Sequence, residues 1–361
     1  MNKKVNNKFY PPAFKLSKKL YWDETKIPND VEIHDGSSLT RVVRTKDDKK
    51  NIIGKVVLQS VGQRGGEGTV YRCNIPNKVC KIYHKDKITK FRLAKLLEMQ
   101  AKNIKIKGIC YPEELLYNEK GQFVGYLMNE AKGHKLQTSV MHPMIIKDKF
   151  PNWRRKQLVD LCMSILEIVE KLHKSNIIIG DINANNILVA DYNKVYFIDC
   201  DSFQIGPYPC PVGTPYFTPR EIQGKKYSEF LRTKEHDMFA ITTLFFMILF
   251  LGKPPYSAKG GTNPSENVKN GNFPYKFRDR KGEDVPDGPW KFIWNNLSMK
   301  MKEIFEDCFA DNKKPSIRDL KTVLFSYRNS LEKGFNSNEL LPTKNKRVPT
   351  EIAKKYKNFN K

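Results

Sequence analysis

Ile179-Gly180-Asp181-Ile182-Asn183-Ala184-Asn185-Asn186-Ile187-Leu188-Val189 stands near the middle of a 361-residue chain. Thirteen residues past Asn186, Asp199 closes the apolar run Val195-Tyr196-Phe197-Ile198. An Asp, an Asn five residues on and a second Asp at the end of the next strand suit phosphoryl transfer. The first carboxylate orients an attacking hydroxyl and accepts its proton, while the amide oxygen and the second carboxylate hold Mg²⁺ on nucleotide phosphates. Asp and Asn are also common turn residues, so the triplet needs support from its surroundings.

The support lies upstream. Val61-Gly62-Gln63-Arg64-Gly65-Gly66-Glu67-Gly68-Thr69-Val70-Tyr71 is a glycine-rich turn between strand-like stretches. A backbone that approaches phosphates closely needs such a turn, which makes Gly62, Gly65, Gly66, Gly68 and Val70 candidate nucleotide-binding residues. Lys81 follows inside Lys78-Val79-Cys80-Lys81-Ile82-Tyr83. Between Asp86 and Glu113 the only acidic residue is Glu98, within helical spacing from about residue 88 to 101. Glu98 is therefore the expected partner of Lys81.

The order glycine loop, Lys81, Glu98, Asp181, Asn186, Asp199 resembles the protein kinase fold over about residues 55 to 330. The resemblance implies an α+β, bilobal protein kinase-like architecture, with a small β-rich N-lobe and a larger helical C-lobe. It continues in Gly213-Thr214-Pro215-Tyr216-Phe217-Thr218-Pro219-Arg220-Glu221, similar to the end of a kinase activation segment, and in the apolar helix opened by His236-Asp237-Met238. It implies that His173 is structural, bonded to Asp237, whereas Lys314 occupies the place of the arginine that in the family pairs with the residue matching Glu221, and is a poorer fork for a buried carboxylate. There are departures. Ile179-Gly180 replaces the usual His-Arg, Asp199-Cys200-Asp201 replaces Asp-Phe-Gly, and Asn183 stands where Ser/Thr kinases usually carry lysine. With no arginine at position 180, control by a phosphate on the activation segment is not expected.

Gly-Gly-Glu-Gly-Thr-Val-Tyr at 65–71, Gly-Asp-Ile-Asn at 180–183 and Ile-Asp-Cys-Asp-Ser-Phe-Gln at 198–204 resemble a bacterial branch of the superfamily. Its members are encoded beside metal-dependent Ser/Thr phosphatases and von Willebrand A-type proteins of stress and tellurium-resistance clusters. The resemblance implies ATP and Mg²⁺ as cofactors, a protein substrate, catalytic roles for Asp181, Lys81 and Glu98, nucleotide contacts from the glycine loop and Lys81, and Asn186 and Asp199 as metal ligands. Two function classes follow: an active Ser/Thr kinase, or a pseudokinase acting as a nucleotide-binding scaffold in a phosphatase-linked system.

Hydrophobic residues make up 39% of the chain, enough for a core and against disorder throughout. The net charge is +25, with 64 Lys and Arg spread along the sequence, each tail carrying +5 and the body the rest, so no basic stripe points to nucleic acid. Seven cysteines without a Cys-x-x-Cys fit neither a disulfide framework nor a zinc site and suit a reducing cytoplasm. Met1-Asn2-Lys3-Lys4 is not followed by an apolar core, and Met238 to Leu251 is too short to span a bilayer, so neither a secretory signal nor a membrane anchor is expected. The expected division is a polar extension over 1–50 with room for a hairpin packed on the small lobe, an N-lobe over 51–132, a C-lobe over 133–335 and a basic tail over 336–361. Three strands are predicted over 55–83, a strand pair over 115–128 turning at Asn118-Glu119-Lys120-Gly121, a linker near 128–133 and an amphipathic helix over 153–173.

Overall fold

The computed structural model describes residues 20–44, 50–260, 263–275, 277 and 284–344. Of the expected extension, 1–19 and 45–49 lie outside the described residues, as does the tail from 345. Six strands, β1 (Ser38–Arg44), β2 (Lys50–Arg64), β3 (Gly68–Cys73), β4 (Lys78–Tyr83), β5 (Glu114–Tyr117) and β6 (Phe123–Asn129), close a barrel in the order β1-β2-β3-β4-β6-β5. Alternating side chains fill it: Leu39, Val56, Leu58, Cys80, Ile82, Leu116, Val124 and Leu127 are all buried. The turn between β5 and β6 falls at Asn118–Gly121, where Asn118 Oδ1 accepts from the amides of Lys120 and Gln122.

The boundary expected at residue 50 is corrected. β1 lies within the 1–50 stretch, yet it pairs antiparallel with both β2 and β5 and closes the barrel. A closed barrel leaves no exposed edge, so β1 belongs to the β-rich unit.

Helix α1 (Lys90–Lys102) packs beside the barrel. Thr89 caps it, its hydroxyl accepting from the Arg92 amide at 3.2 Å, and Asn103 ends it in the left-handed region at φ 45°. A short strand β7 (His134–Lys135) and helix α2 (Ile145–Lys149) lead into α3 (Arg155–Lys174), whose buried face carries Leu158, Leu161, Cys162, Ile165, Leu166, Ile168, Val169 and Leu172. Strands β8 (Ile177–Ile178), β9 (Ile187–Asp191), β10 (Lys194–Phe197) and β11 (Gln204–Ile205) follow, with orders β10-β9-β7 and β11-β8. Helix α4 (Lys234–Leu249) is apolar all round and buried from Asp237 to Leu249. Helices α5 (Pro264–Asn270), α6 (Trp290–Asn295), α7 (Met299–Phe309) and α8 (Ile317–Glu332) follow, with α7 packed on α4 and α8 on α3. One hydrophobic cluster runs from Val42 and Phe91 through α3 and α4 to Leu331.

The expected tail boundary also moves. Arg155 is fully buried and donates to the carbonyls of Leu249 at 3.0 Å, Glu339 at 3.1 Å and Leu340 at 2.6 Å. Its planar fork fastens Glu339 and Leu340 to the helical unit. Among the described residues, no helix is long and apolar enough to cross a membrane.

Candidate active site

Asp237, at the start of α4, fixes the backbone that carries the central motif. Its carboxylate takes the His173 ring Nε2 at 2.9 Å and the amides of Ile179 and Gly180 at 2.8 Å each. With the chain pinned, Asp181 is presented at the end of β8. Its Oδ2 accepts from the side-chain amides of Asn183 at 2.9 Å and Asn186 at 3.2 Å, and its Oδ1 accepts from the Thr214 hydroxyl at 3.0 Å. Thr214 was not singled out at this position by the sequence, because it lies 33 residues away on the activation segment. The NH₂ of Asn186 is committed to Asp181, so its carbonyl oxygen is the atom suited to a cation.

Asp199 follows β10 with φ 55°, and Cys200–Ser202 then form one turn of 3₁₀ helix. The left-handed residue is thus Asp199 itself, and position 201 sits in a right-handed turn that needs no glycine. Asp199 remains 49% exposed to the cleft and lies 3.1 Å from the Lys81 ammonium. Its carboxylate and the Asn186 oxygen are hard donors of the kind that would fit a divalent cation such as Mg²⁺.

Lys81, on β4, is 6% exposed. Glu98 is corrected as its partner: it is buried on α1 and makes no ion pair with Lys81, whose carboxylates are Asp201 at 2.8 Å, Asp199 at 3.1 Å and Glu67 at 4.0 Å. Burial alone would pull the Lys81 ammonium toward neutrality, but Asp201 and Asp199 outweigh it and hold its pKa above the usual lysine value. Burial likewise opposes the Asp201 charge, and Lys81 and Arg92 reverse that, keeping its carboxyl well below the usual range. On the same helix, Lys95 donates to the carbonyls of Ser202 at 2.8 Å and Pro209 at 3.1 Å, and burial lowers its pKa to about 8.

The glycine loop is the turn between β2 and β3, closed by Gly65 N–H to Gly68 O at 2.9 Å. A Cβ on Gly68 would stand 2.3 Å from the Ile82 carbonyl, so β4 excludes any side chain there. Glu67 ties the loop to α1 through Arg92, at 2.9 and 3.0 Å. Under the loop lies a cleft of about 480 Å³ that brings together Gly62, Gly65, Gly66, Gly68, Val70, Lys81, Asp181, Asn186 and Asp199, with Leu188 and Ile198 as an apolar floor and Met128 to Ala131 at the side. That volume is in the range of cofactor sites.

The activation segment is anchored at its end and near its middle. Lys314 meets Glu221 at 2.6 Å, so the lysine makes the pair for which the family uses an arginine. Arg232, missed by the sequence reading, lies beside Gly180, donating to the Val212 carbonyl at 2.7 Å with its guanidinium 4.3 Å from the Tyr227 ring centroid. All seven cysteines are buried and free, Cys200 and Cys210 among them.

Residues 56–323 match the family model of the protein kinase domain. The fold and the cleft therefore have a family: the chain belongs to the protein kinase domain family. It is 26% identical to the protein kinase YegI of Escherichia coli K12 over 292 residues, 75% of this chain and 44% of that protein. The YegI kinase of E. coli O157:H7 is 27% identical over 69% of this chain and 40% of its own length. The serine/threonine-protein kinase CLA4 of Candida albicans is 24% identical over 50% of this chain and 19% of its own. The chain thus spans less than half the length of the curated relatives it matches.

Proposed function

We propose that this chain is an ATP- and Mg²⁺-dependent kinase that moves the γ-phosphoryl group to a Ser or Thr hydroxyl of a protein substrate, working as a two-lobed catalytic unit. The observation that carries this reading is the convergence of Lys81, Asp181, Asn186 and Asp199 on one cleft beneath the glycine loop. Asp181, held by Asn183, Asn186 and Thr214, orients the acceptor hydroxyl and takes its proton as the oxygen–phosphorus bond forms. The bond from the γ-phosphorus to the bridging oxygen breaks, and ADP leaves with that electron pair. Lys81 and the loop amides hold the phosphates, while Asn186 and Asp199 would hold Mg²⁺. When bound, the ion neutralises charge across the β- and γ-phosphates.

The resemblance to a phosphatase-associated branch supports a metal-dependent Ser/Thr phosphatase or a von Willebrand A-type protein as a partner, and seven free thiols support a cytoplasmic setting. The role assignment is tested by titrating ATP with and without Mg²⁺. Asp199→Asn is expected to lose the Mg²⁺-dependent gain in affinity, whereas Asp181→Asn retains it, because Asp181 acts on the acceptor. Equal loss in both variants would contradict the assignment.

A further inference from the structure

Resting on the kinase reading above, we propose that Asp201 is the positioning residue of Lys81, doing from the metal-ligand segment what a carboxylate on α1 was expected to do. The helix offers no such carboxylate at the cleft. It presents cations instead: Arg92 reaches Asp201 Oδ2 at 3.3 Å, and Lys95 reaches two backbone carbonyls of the activation segment. A lysine facing those cations needs a negative charge between them.

Asp201 supplies it. Its side chain is 2% exposed and accepts from four donors: Lys81 at 2.8 Å, Tyr83 hydroxyl at 2.7 Å, Tyr126 hydroxyl at 3.0 Å and Arg92 at 3.3 Å. Two phenols from β4 and β6 and one guanidinium from α1 fix the carboxylate in one orientation. Lys81 is then held by the segment that also carries Asp199, so the phosphate-binding cation and the metal ligand are set by one turn of backbone. The helix acts on Lys81 at one remove, through the Arg92 bridge from Glu67 to Asp201.

The test compares wild type, Asp201→Asn, Glu98→Gln, Lys81→Met and the Lys81→Met/Asp201→Asn double variant. It measures kcat and KM for ATP in the active forms and ATP affinity in all of them. Asp201→Asn is expected to raise KM and lower kcat together, reducing kcat/KM about 10²-fold, the scale of a misplaced catalytic group. Glu98→Gln is expected to stay within about twofold of wild type in both constants. In the Lys81→Met background, adding Asp201→Asn is expected to leave ATP affinity unchanged, since its effect runs through the lysine. A further loss there, or a tenfold or larger fall in kcat/KM for Glu98→Gln, overturns the proposal. Should Asp201→Asn fail to fold, the Glu98→Gln arm still decides. A wild type that binds no ATP fails the kinase reading itself, and that failure shows in the wild-type arm alone.

Discussion

Gly180 has φ +78°, and a Cβ there would stand 2.5 Å from the Cys210 Cβ and 2.6 Å from Arg232 Nη1. The residue that replaces the expected arginine is thus required twice over, by its backbone conformation and by its neighbours. Gly180→Ala is expected to destabilise the protein by roughly 2–5 kcal/mol, combining left-handed strain with overpacking. Urea unfolding measures it, and a change below about 0.5 kcal/mol would mean that Arg232 and Cys210 move aside freely. Asp181, Asn186 and Asp199 were legible because they lie within 19 residues of one another and their types carry the chemistry. Glu98 misled for a physical reason. Counting carboxylates along one helix cannot see Asp201, which lies 120 residues from Lys81 and reaches it only when the 3₁₀ turn folds up against β4. Thr214 and Arg232 were hidden in the same way, since each meets the motif across a loop.

At the scale of elements, α1 is held by a segment that the sequence showed only as polar chain. The carbonyls of Asp23 and Thr25 accept from the amides of Phe91 at 2.8 Å and Lys90 at 2.9 Å, two N–H groups that a helix start leaves without intrahelical partners. The Trp22 ring lies 4.2 Å from the Phe91 ring, and the Tyr21 amide donates to the Pro207 carbonyl at 3.0 Å. Residues 21–25 therefore bridge the start of α1 and the activation segment. Trp22→Ala is expected to lower the opening energy of the first turn of α1 by roughly 1–3 kcal/mol. Hydrogen exchange at Phe91 and Arg92 would quicken accordingly, and unchanged exchange would show that the main-chain bonds alone hold the helix. A hairpin in the extension was expected, and β1 does pair with β2, but closure of the barrel by β5 and the contacts of this strap were not legible, because those partners lie in β5, α1 and residues near 207, far away in sequence. The hairpin of β5 and β6 was legible, because its turn chemistry is local to Asn118 and Gly121.

Across the whole molecule, α3 and α4 were readable from periodicity and apolarity, and they form the scaffold on which the motif is hung. Asp237 joins α4 to the backbone before Asp181, His173 joins α3 to the same carboxylate, and Arg155 locks the far ends of both helices to residues 338–340. That last contact was not legible, since a tail rich in Lys and Asn shows no pattern that demands burial. The scaffold places Asp181, Lys81, Asn186 and Asp199 around one cleft, and the central claim of the proposed function is that this cleft transfers phosphate. The most direct measurement is single-turnover transfer from γ-labelled ATP in Mg²⁺ to protein Ser or Thr, for wild type and Asp181→Asn at saturating nucleotide. Wild type is expected to yield phosphoserine or phosphothreonine, and Asp181→Asn to transfer roughly 10²–10⁴-fold more slowly while still binding Mg-ATP. Equal rates in the two proteins, or nucleotide bound stoichiometrically by wild type with no label transferred, would contradict the account and leave a nucleotide-binding scaffold in its place.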